Sequence, residues 1–279
     1  MPHLFCFGLG YSARVFAMQR LDDGWRISGT SRTQAGAAAV TALGATGFVF
    51  DGRRLDEPLI AAVAEATHIL VSIAPDEESD PVLRHSARLA PACANAEWIG
   101  YLSTIGVYGN HDGAWIDEQT PAIPASARSG RRLLAEHEWT EFARSIGVPL
   151  QIFRLAGIYG PGRSAIDKLR SGTARRLIKD GQVFNRIHVD DIADIVAAGA
   201  RQPSKSGVFN VCDDLPAPPQ DVVAFAAEQL GLPVPPGQAF ESADLSPMAR
   251  SFYSENKRCR NAKLKDMLGV SLRYPTYRE

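Results

Sequence analysis

Paired cysteines are missing from this sequence. Its four cysteines, Cys6, Cys93, Cys212 and Cys259, stand far apart with no recurrent spacing, which argues against a disulfide framework and a cysteine-based zinc module. The six histidines are equally dispersed and form no two-ligand helix motif, so no metal site is expected. The N-terminus, Met1-Pro2-His3-Leu4-Phe5-Cys6-Phe7-Gly8, has neither the charged nor the apolar segment of a signal peptide. A cytoplasmic location and no membrane partner are therefore expected. Excess charge of either sign is also absent: 30 lysines and arginines oppose 31 aspartates and glutamates. The densest basic cluster, residues 170–179, has no interleaved aromatics, and nothing points to nucleic acid. Internal repeats and low-complexity tracts are lacking as well.

What is present is an ordinary globular composition, 45% hydrophobic and 22% charged, in a length that suits one large or two small domains. Short apolar runs at 3–7, 26–30, 47–50, 68–73, 98–103 and 150–155 alternate with helix-length stretches at 12–20, 58–64, 81–93 and 127–145. This alternation predicts βαβ units and a doubly wound parallel sheet of Rossmann type. After residue 162 the texture changes to a basic helix, a short strand at 186–189, a helix from Asp190 and a strand at 208–211. A linker follows at 215–219, then a helix at 220–230, a proline-rich turn and a polar tail. The expected division is a nucleotide-binding domain over 1–160, with 186–212 returning to its sheet. A smaller C-terminal α/β substrate lobe is expected from 161–185 and 213–279.

The strongest local signal is Gly8-Leu9-Gly10-Tyr11-Ser12-Ala13, a G-x-G-x-x-A pattern placed between an apolar strand and a helix. The first glycine permits a tight turn, the second lets the backbone approach a pyrophosphate, and the small Ala13 lets the helix pack close to the strand. The free N–H groups and dipole of the helix then favour the phosphates. About 20 residues on, an NAD-selective site places a carboxylate on the ribose hydroxyls. This chain instead reads Gly29-Thr30-Ser31-Arg32, and Ser31 with Arg32 suits a 2′-phosphate. NADP is the expected cofactor, with NAD the alternative, and Asp51 after the third strand is placed either to accept from the adenine amino group or to cap the next turn.

Three further blocks carry a family resemblance. Tyr101-Leu102-Ser103-Thr104-Ile105-Gly106-Val107-Tyr108-Gly109, Arg154-Leu155-Ala156-Gly157-Ile158-Tyr159-Gly160-Pro161-Gly162 and Arg186-Ile187-His188-Val189-Asp190-Asp191-Ile192-Ala193 occur in order along the chain. In these the sequence resembles the extended and atypical short-chain dehydrogenase/reductases, the NAD-dependent epimerase/dehydratase family, over nearly its whole length. The resemblance implies an oxidoreductase or epimerase acting on a small-molecule substrate, and a possible homodimer through sheet-flanking helices. It also implies that Ser72, Ile73, Ala74, Ser103 and Ala156 complete the cofactor site. Thr104 aligns with the family's substrate-orienting serine or threonine, while Tyr108, Arg163, Arg186 and His188 fall where relatives contact substrate or order the cleft.

One departure stands out. Where the family carries Tyr-x-x-x-Lys on a helix, this chain has Arg128 and Arg132. A guanidinium, with a pKa above about 12, cannot exchange a proton near neutrality as a depressed-pKa tyrosinate does. Four residues apart, the two arginines share a helix face that either clamps an anionic or nucleotide-linked substrate or stays solvated. The alternative to an enzyme with nonstandard proton chemistry is a noncatalytic NADP(H)-binding redox sensor.

Overall fold

The computed structural model describes residues 1–279, the side chain of Met248 excepted. Thirteen strands occur: β1 His3–Phe7, β2 Arg26–Ser31, β3 Thr46–Val49, β4 His68–Val71, β5 Trp98–Thr104, β6 Trp115–Ile116, β7 Leu150–Leu155, β8 Gly157–Tyr159, β9 Arg176–Ile178, β10 Arg186–His188, β11 Gly207–Val211, β12 Gly237–Ala239 and β13 Arg258–Cys259. The helices are α1 Tyr11–Asp22, α2 Gln34–Ala42, α3 Glu57–Ala64, α4 Ser86–Ala92, α5 Ala127–Ile146, α6 Ala165–Arg170, α7 Val189–Ala200, α8 Pro219–Gln229, α9 Pro247–Phe252 and α10 Ala262–Leu268. Seven strands form one parallel sheet in the order β11-β7-β5-β4-β1-β2-β3. The expected doubly wound α/β sheet is thus the architecture observed.

Both faces of this sheet are covered, which is why its strands read as continuous apolar runs. All five residues of β1 are buried, and they divide by alternation. Leu4 and Cys6 join Phe16, Ile192 and Val196 on the face of α1 and α7. Phe5 and Phe7 join Leu59, Leu89 and Trp139 on the face of α3, α4 and α5. The helix starts are set locally: Thr33, Asp56 and Ser126 cap α2, α3 and α5 through their side chains. The stretch 81–93, expected as one helix, is a single 3-10 turn followed by the short α4. Asp80 accepts from the Val82 and Leu83 N–H groups at its start, and Pro91 removes a helix donor near its end.

Of residues 186–212, expected to return to the sheet, β11 does so as an outer strand and α7 covers one face. Arg186–His188 does not: β10 pairs with β8 alone. The cause lies at the end of β7, where Ala156 still bonds the Val211 carbonyl (2.9 Å) but Gly157 turns to the Asn185 carbonyl (3.0 Å). β8 and β10 therefore run on beyond the carboxyl edge of the sheet. Two further small parallel pairs, β9 with β12 and β6 with β13, stand outside the seven-stranded sheet.

Candidate functional site

The glycine turn between β1 and α1 lies at the carboxyl edge. Gly8 has φ +86°, and a Cβ there would stand 2.8 Å from Ile73 Cγ1, so only glycine fits. Its N–H donates to Thr30 Oγ1 (2.8 Å) and the next N–H to the Thr30 carbonyl (2.9 Å), tying the turn to β2. Gly10 differs: a Cβ built on it meets nothing within 4 Å. The backbone there faces open space at the start of α1, whose first turn has no acidic residue and no side-chain cap. Ser12 and Ala13 are buried beneath it. Uncapped N–H groups beside an unobstructed glycine match the chemistry of a pyrophosphate cradle.

The edge beyond β2 and β3 is basic. Arg32 is exposed and, among the described residues, makes no hydrogen bond or ion pair. Ser31 lies against the first turn of α2, where a Cβ on Gly36 would stand 1.9 Å from its Oγ. Asp51 Oδ1 accepts from the Arg53 N–H (3.0 Å), a local turn contact. Arg53 and Arg54, both exposed, follow β3 at the edge where β2 also ends, since Ser31 and Val49 are register partners. The motif reading stopped at Asp51 and passed over this pair of basic residues. At β4, the Ser72 N–H donates to the Phe7 carbonyl (2.9 Å), Ile73 packs on Gly8, and Ala74 is exposed.

The block around β5 divides between site and scaffold. Thr104 is half-buried at the strand end, and its Oγ1 accepts from the Gly106 N–H (3.1 Å), leaving its hydroxyl hydrogen uncommitted. Ser103 points the other way and donates to Glu136 on α5. Glu136 is also held by Arg154 of β7 through Nε (3.1 and 3.2 Å) and Nη2 (2.6 Å), with both side chains buried. The Ser103 hydroxyl thus serves a buried ion pair. Sequence reasoning missed that pair because its members lie 18 residues apart on different elements. Tyr108, expected near substrate, is fully buried, donates to Asn210 Oδ1 (2.8 Å) and lies under the Arg154 guanidinium. Burial pushes its phenol up to about 12. A side chain so enclosed is core rather than cleft.

The two arginines of α5 are not brought together as a clamp. Arg132 is half-buried and donates through Nη1 to the Tyr101 hydroxyl (3.0 Å) and to the Leu102 (3.0 Å) and Ile73 (3.4 Å) carbonyls. It bridges the carboxyl ends of β4 and β5. Arg128, one turn earlier, is exposed and without a partner among the described residues. The physical reason is position: Arg128 lies in the first turn of α5, clear of the sheet, whereas Arg132 lies over it.

Arg163 is exposed over the Tyr11 ring, whose hydroxyl donates to the Pro161 carbonyl (3.0 Å). The Gly160-Pro161-Gly162 turn is thereby folded against the start of α1. His188 Nδ1 accepts from the Asp190 N–H (3.2 Å), and its ring lies between Tyr159 and Tyr274. Burial holds it below its ordinary value. Tyr159 donates to the Thr276 carbonyl (3.4 Å), and burial raises its phenol well above the usual range. Arg186, from β10, donates through Nη1 to the Phe184 (2.9 Å) and Ala217 (3.1 Å) carbonyls.

A parallel sheet of this order, with a glycine turn and an uncapped helix start at its carboxyl edge, defines a Rossmann-type nucleotide-fold protein. Residues 18–212 match the family model described as NAD dependent epimerase/dehydratase, and the chain belongs to that family. It is similar to a conserved protein of unknown function from Silicibacter pomeroyi DSS, 50% identical over all of this chain and 96% of the other, with a TM-score of 0.91. Protein YeeZ of Escherichia coli (strain K12) is 27% identical over 250 residues, covering 84% of this chain and 86% of its own. The Thermus thermophilus UDP-glucose 4-epimerase, solved with NAD, shares the fold at a TM-score of 0.75 and 20% identity, over all of this chain and 96% of the other.

Proposed function

We propose that the protein is an NADP(H)-dependent oxidoreductase or epimerase with nonstandard proton chemistry. The observation that carries this reading is the open backbone at Gly10 and the uncapped start of α1, with the unpartnered Arg32 at the end of the next strand. The turn and helix would hold the pyrophosphate, and Arg32, with Arg53 and Arg54 behind it, would take the 2′-phosphate. Bound there, the nicotinamide supplies the hydride chemistry. Thr104 would orient a substrate hydroxyl or carbonyl with its uncommitted hydrogen. Arg132 would order the floor of the site by joining the ends of β4 and β5. The epimerases among its relatives support a nucleotide-linked or otherwise anionic substrate.

Calorimetric titration with NADPH, NADP, NADH and NAD tests the reading. Tightest binding of the phosphorylated forms is expected, and no binding by any of the four would overturn it. A second reading, a noncatalytic redox sensor, is favoured by the exposed arginine in place of the family's tyrosine and by the enclosure of Tyr108. It requires oxidised and reduced forms to bind differently, since equal affinity shifts no equilibrium. The same titration reads that difference.

A further inference from the structure

α1 packs against α7, and Arg20 in the last turn of α1, Arg201 at the end of α7 and the chain leaving α10 line one cleft of about 290 Å³. Arg20 lies ten positions beyond Gly10, about 15 Å along the helix at 1.5 Å per residue, so the cleft is separate from the glycine turn. The chain after α10 is pinned on both sides. The Met267 carbonyl accepts from Lys205 and the Leu268 carbonyl from Gln202 Nε2 (3.0 Å), Gly269 turns out of the helix at φ +66°, and the Arg273 and Tyr274 N–H groups donate to Asp191 (2.6 and 3.1 Å). Between these pins the Val270 and Ser271 N–H groups have no acceptor among the described residues. The guanidiniums around them are unequally committed. Arg273 is held by Asp194 through Nε (2.6 Å) and Nη2 (2.9 Å), which balances the carboxylate lining the cleft. Arg20 gives Nη2 to Asp23 (2.9 Å), but its side chain is 11% exposed and its buried Nε has no partner. Arg201 is exposed, and among the described residues its guanidinium makes no hydrogen bond or ion pair. Nor is it needed to cap α7: the Ala197, Ala198 and Gly199 carbonyls already accept from the Arg201 N–H (3.1 Å), Gln202 Nε2 (3.3 Å) and the Gln202 N–H (2.9 Å).

We propose that this cleft binds the phosphate group of a small ligand, with Arg201, Arg20 and the Val270 and Ser271 N–H groups as its donors. A buried guanidinium N–H without an acceptor is costly, and an anion beside it removes that cost. One unshared guanidinium, one shared on a single nitrogen and two adjacent backbone donors offer charge and hydrogen bonds from several directions, the pattern that a tetrahedral oxyanion satisfies. The volume is at the small end of ligand pockets, about 300–1,000 Å³, which leaves room for a phosphate monoester of a few carbons but not for a dinucleotide. The site shares none of these donors with the proposed cofactor cradle.

Inorganic phosphate and glycerol 3-phosphate are the probes, titrated at constant ionic strength into the full isotope-labelled chain and followed by NMR. The Val270 and Ser271 amide signals are expected to move together and saturate, and the tighter probe tells whether free phosphate or an ester is held. Arg201→Gln leaves no partner stranded, so it should keep the melting temperature while raising the phosphate needed for half-saturation about tenfold, the effect of losing a hydrogen bond to a charged group. The Gly10 and Tyr11 amides report the nucleotide cradle separately. Shifts confined to those two, Val270 and Ser271 signals that do not saturate, or an Arg201→Gln protein with unchanged half-saturation would each overturn the proposal. Saturation at Val270 and Ser271 in a protein that binds no nucleotide would leave this site standing and remove only the proposed cofactor.

Discussion

At the scale of single residues, the arginine after β2 gives the sharpest test of the proposed cofactor. Among the described residues Arg32 has no partner to satisfy, so its replacement leaves no buried group stranded. Arg32→Ala is expected to keep the melting temperature and to lower NADPH affinity by roughly tenfold to a hundredfold, the range of a hydrogen bond to a charged group at about 1.5–3 kcal/mol. NADH affinity should stay unchanged, and calorimetry checks both. Gly8 gives the opposite pattern. Gly8→Ala places a methyl 2.8 Å from Ile73 at φ +86° and should cost about 1–3 kcal/mol, read by denaturant unfolding. Tyr108→Phe removes the donor to Asn210, whose Nδ2 is already buried without a partner. A loss of about 1–3 kcal/mol with unaltered nucleotide affinity is expected, and a change in affinity would return Tyr108 to the cleft.

At the scale of elements, α5 is fastened to the sheet by polar as well as apolar contacts. Glu136 joins β5 through Ser103 and β7 through Arg154, while Arg132 on the same helix ties the ends of β4 and β5. Glu136→Ala strands a buried guanidinium and is expected to cost about 3–5 kcal/mol in urea unfolding, far more than an exposed ion pair such as Arg144–Glu141. A cost under about 1 kcal/mol would show that water or Tyr108 compensates Arg154. The helices and strands themselves were legible: the strand at 3–7 and the long helix from Ala127 emerge from apolar periodicity and from Ser126 as a cap. The β8–β10 pair was not legible in that way. A three-residue strand is too short to show whether it joins a main sheet or leaves it.

At the scale of the whole molecule, buried titratable groups set opposing pH trends. Burial holds His3, His68 and His188 below their ordinary value of 6.5, so they protonate more readily in the unfolded chain than in the fold. Their stabilisation is present above the unfolded value and lost as pH falls through it toward the folded values. Asp213 acts the other way. With a folded value of about 7 against 3.8, it binds its proton more tightly in the fold. That contribution is full below 3.8 and lost as pH rises to about 7. The Asp213 contribution is therefore expected to decline as pH rises from the acid side toward neutrality in the wild type and to be absent in Asp213→Asn. Urea unfolding at about pH 5 and pH 8 checks this, and parallel curves for the two proteins would reject it.

Sequence alone determined the parallel sheet, its glycine turn and the basic residue after the second strand. Each depends on neighbours in the chain: a two-residue alternation, a glycine spacing, a strand followed by a helix. The same reading set Arg128 and Arg132 where the resemblance leads one to expect the family's tyrosine and lysine. Only the tertiary structure decided what those residues do. Arg132 bridges two strand ends while Arg128 stays exposed, Ser103 serves a buried ion pair, and Tyr108 lies in the core. The chain order likewise hides the meeting of Arg186 with Asp213. They are 27 positions apart, and what joins them is a backbone bond formed where β10 and the loop after β11 leave the carboxyl edge of the sheet together. Periodicity reports which face of an element is buried, whereas the environment of a charge depends on which other elements close over it.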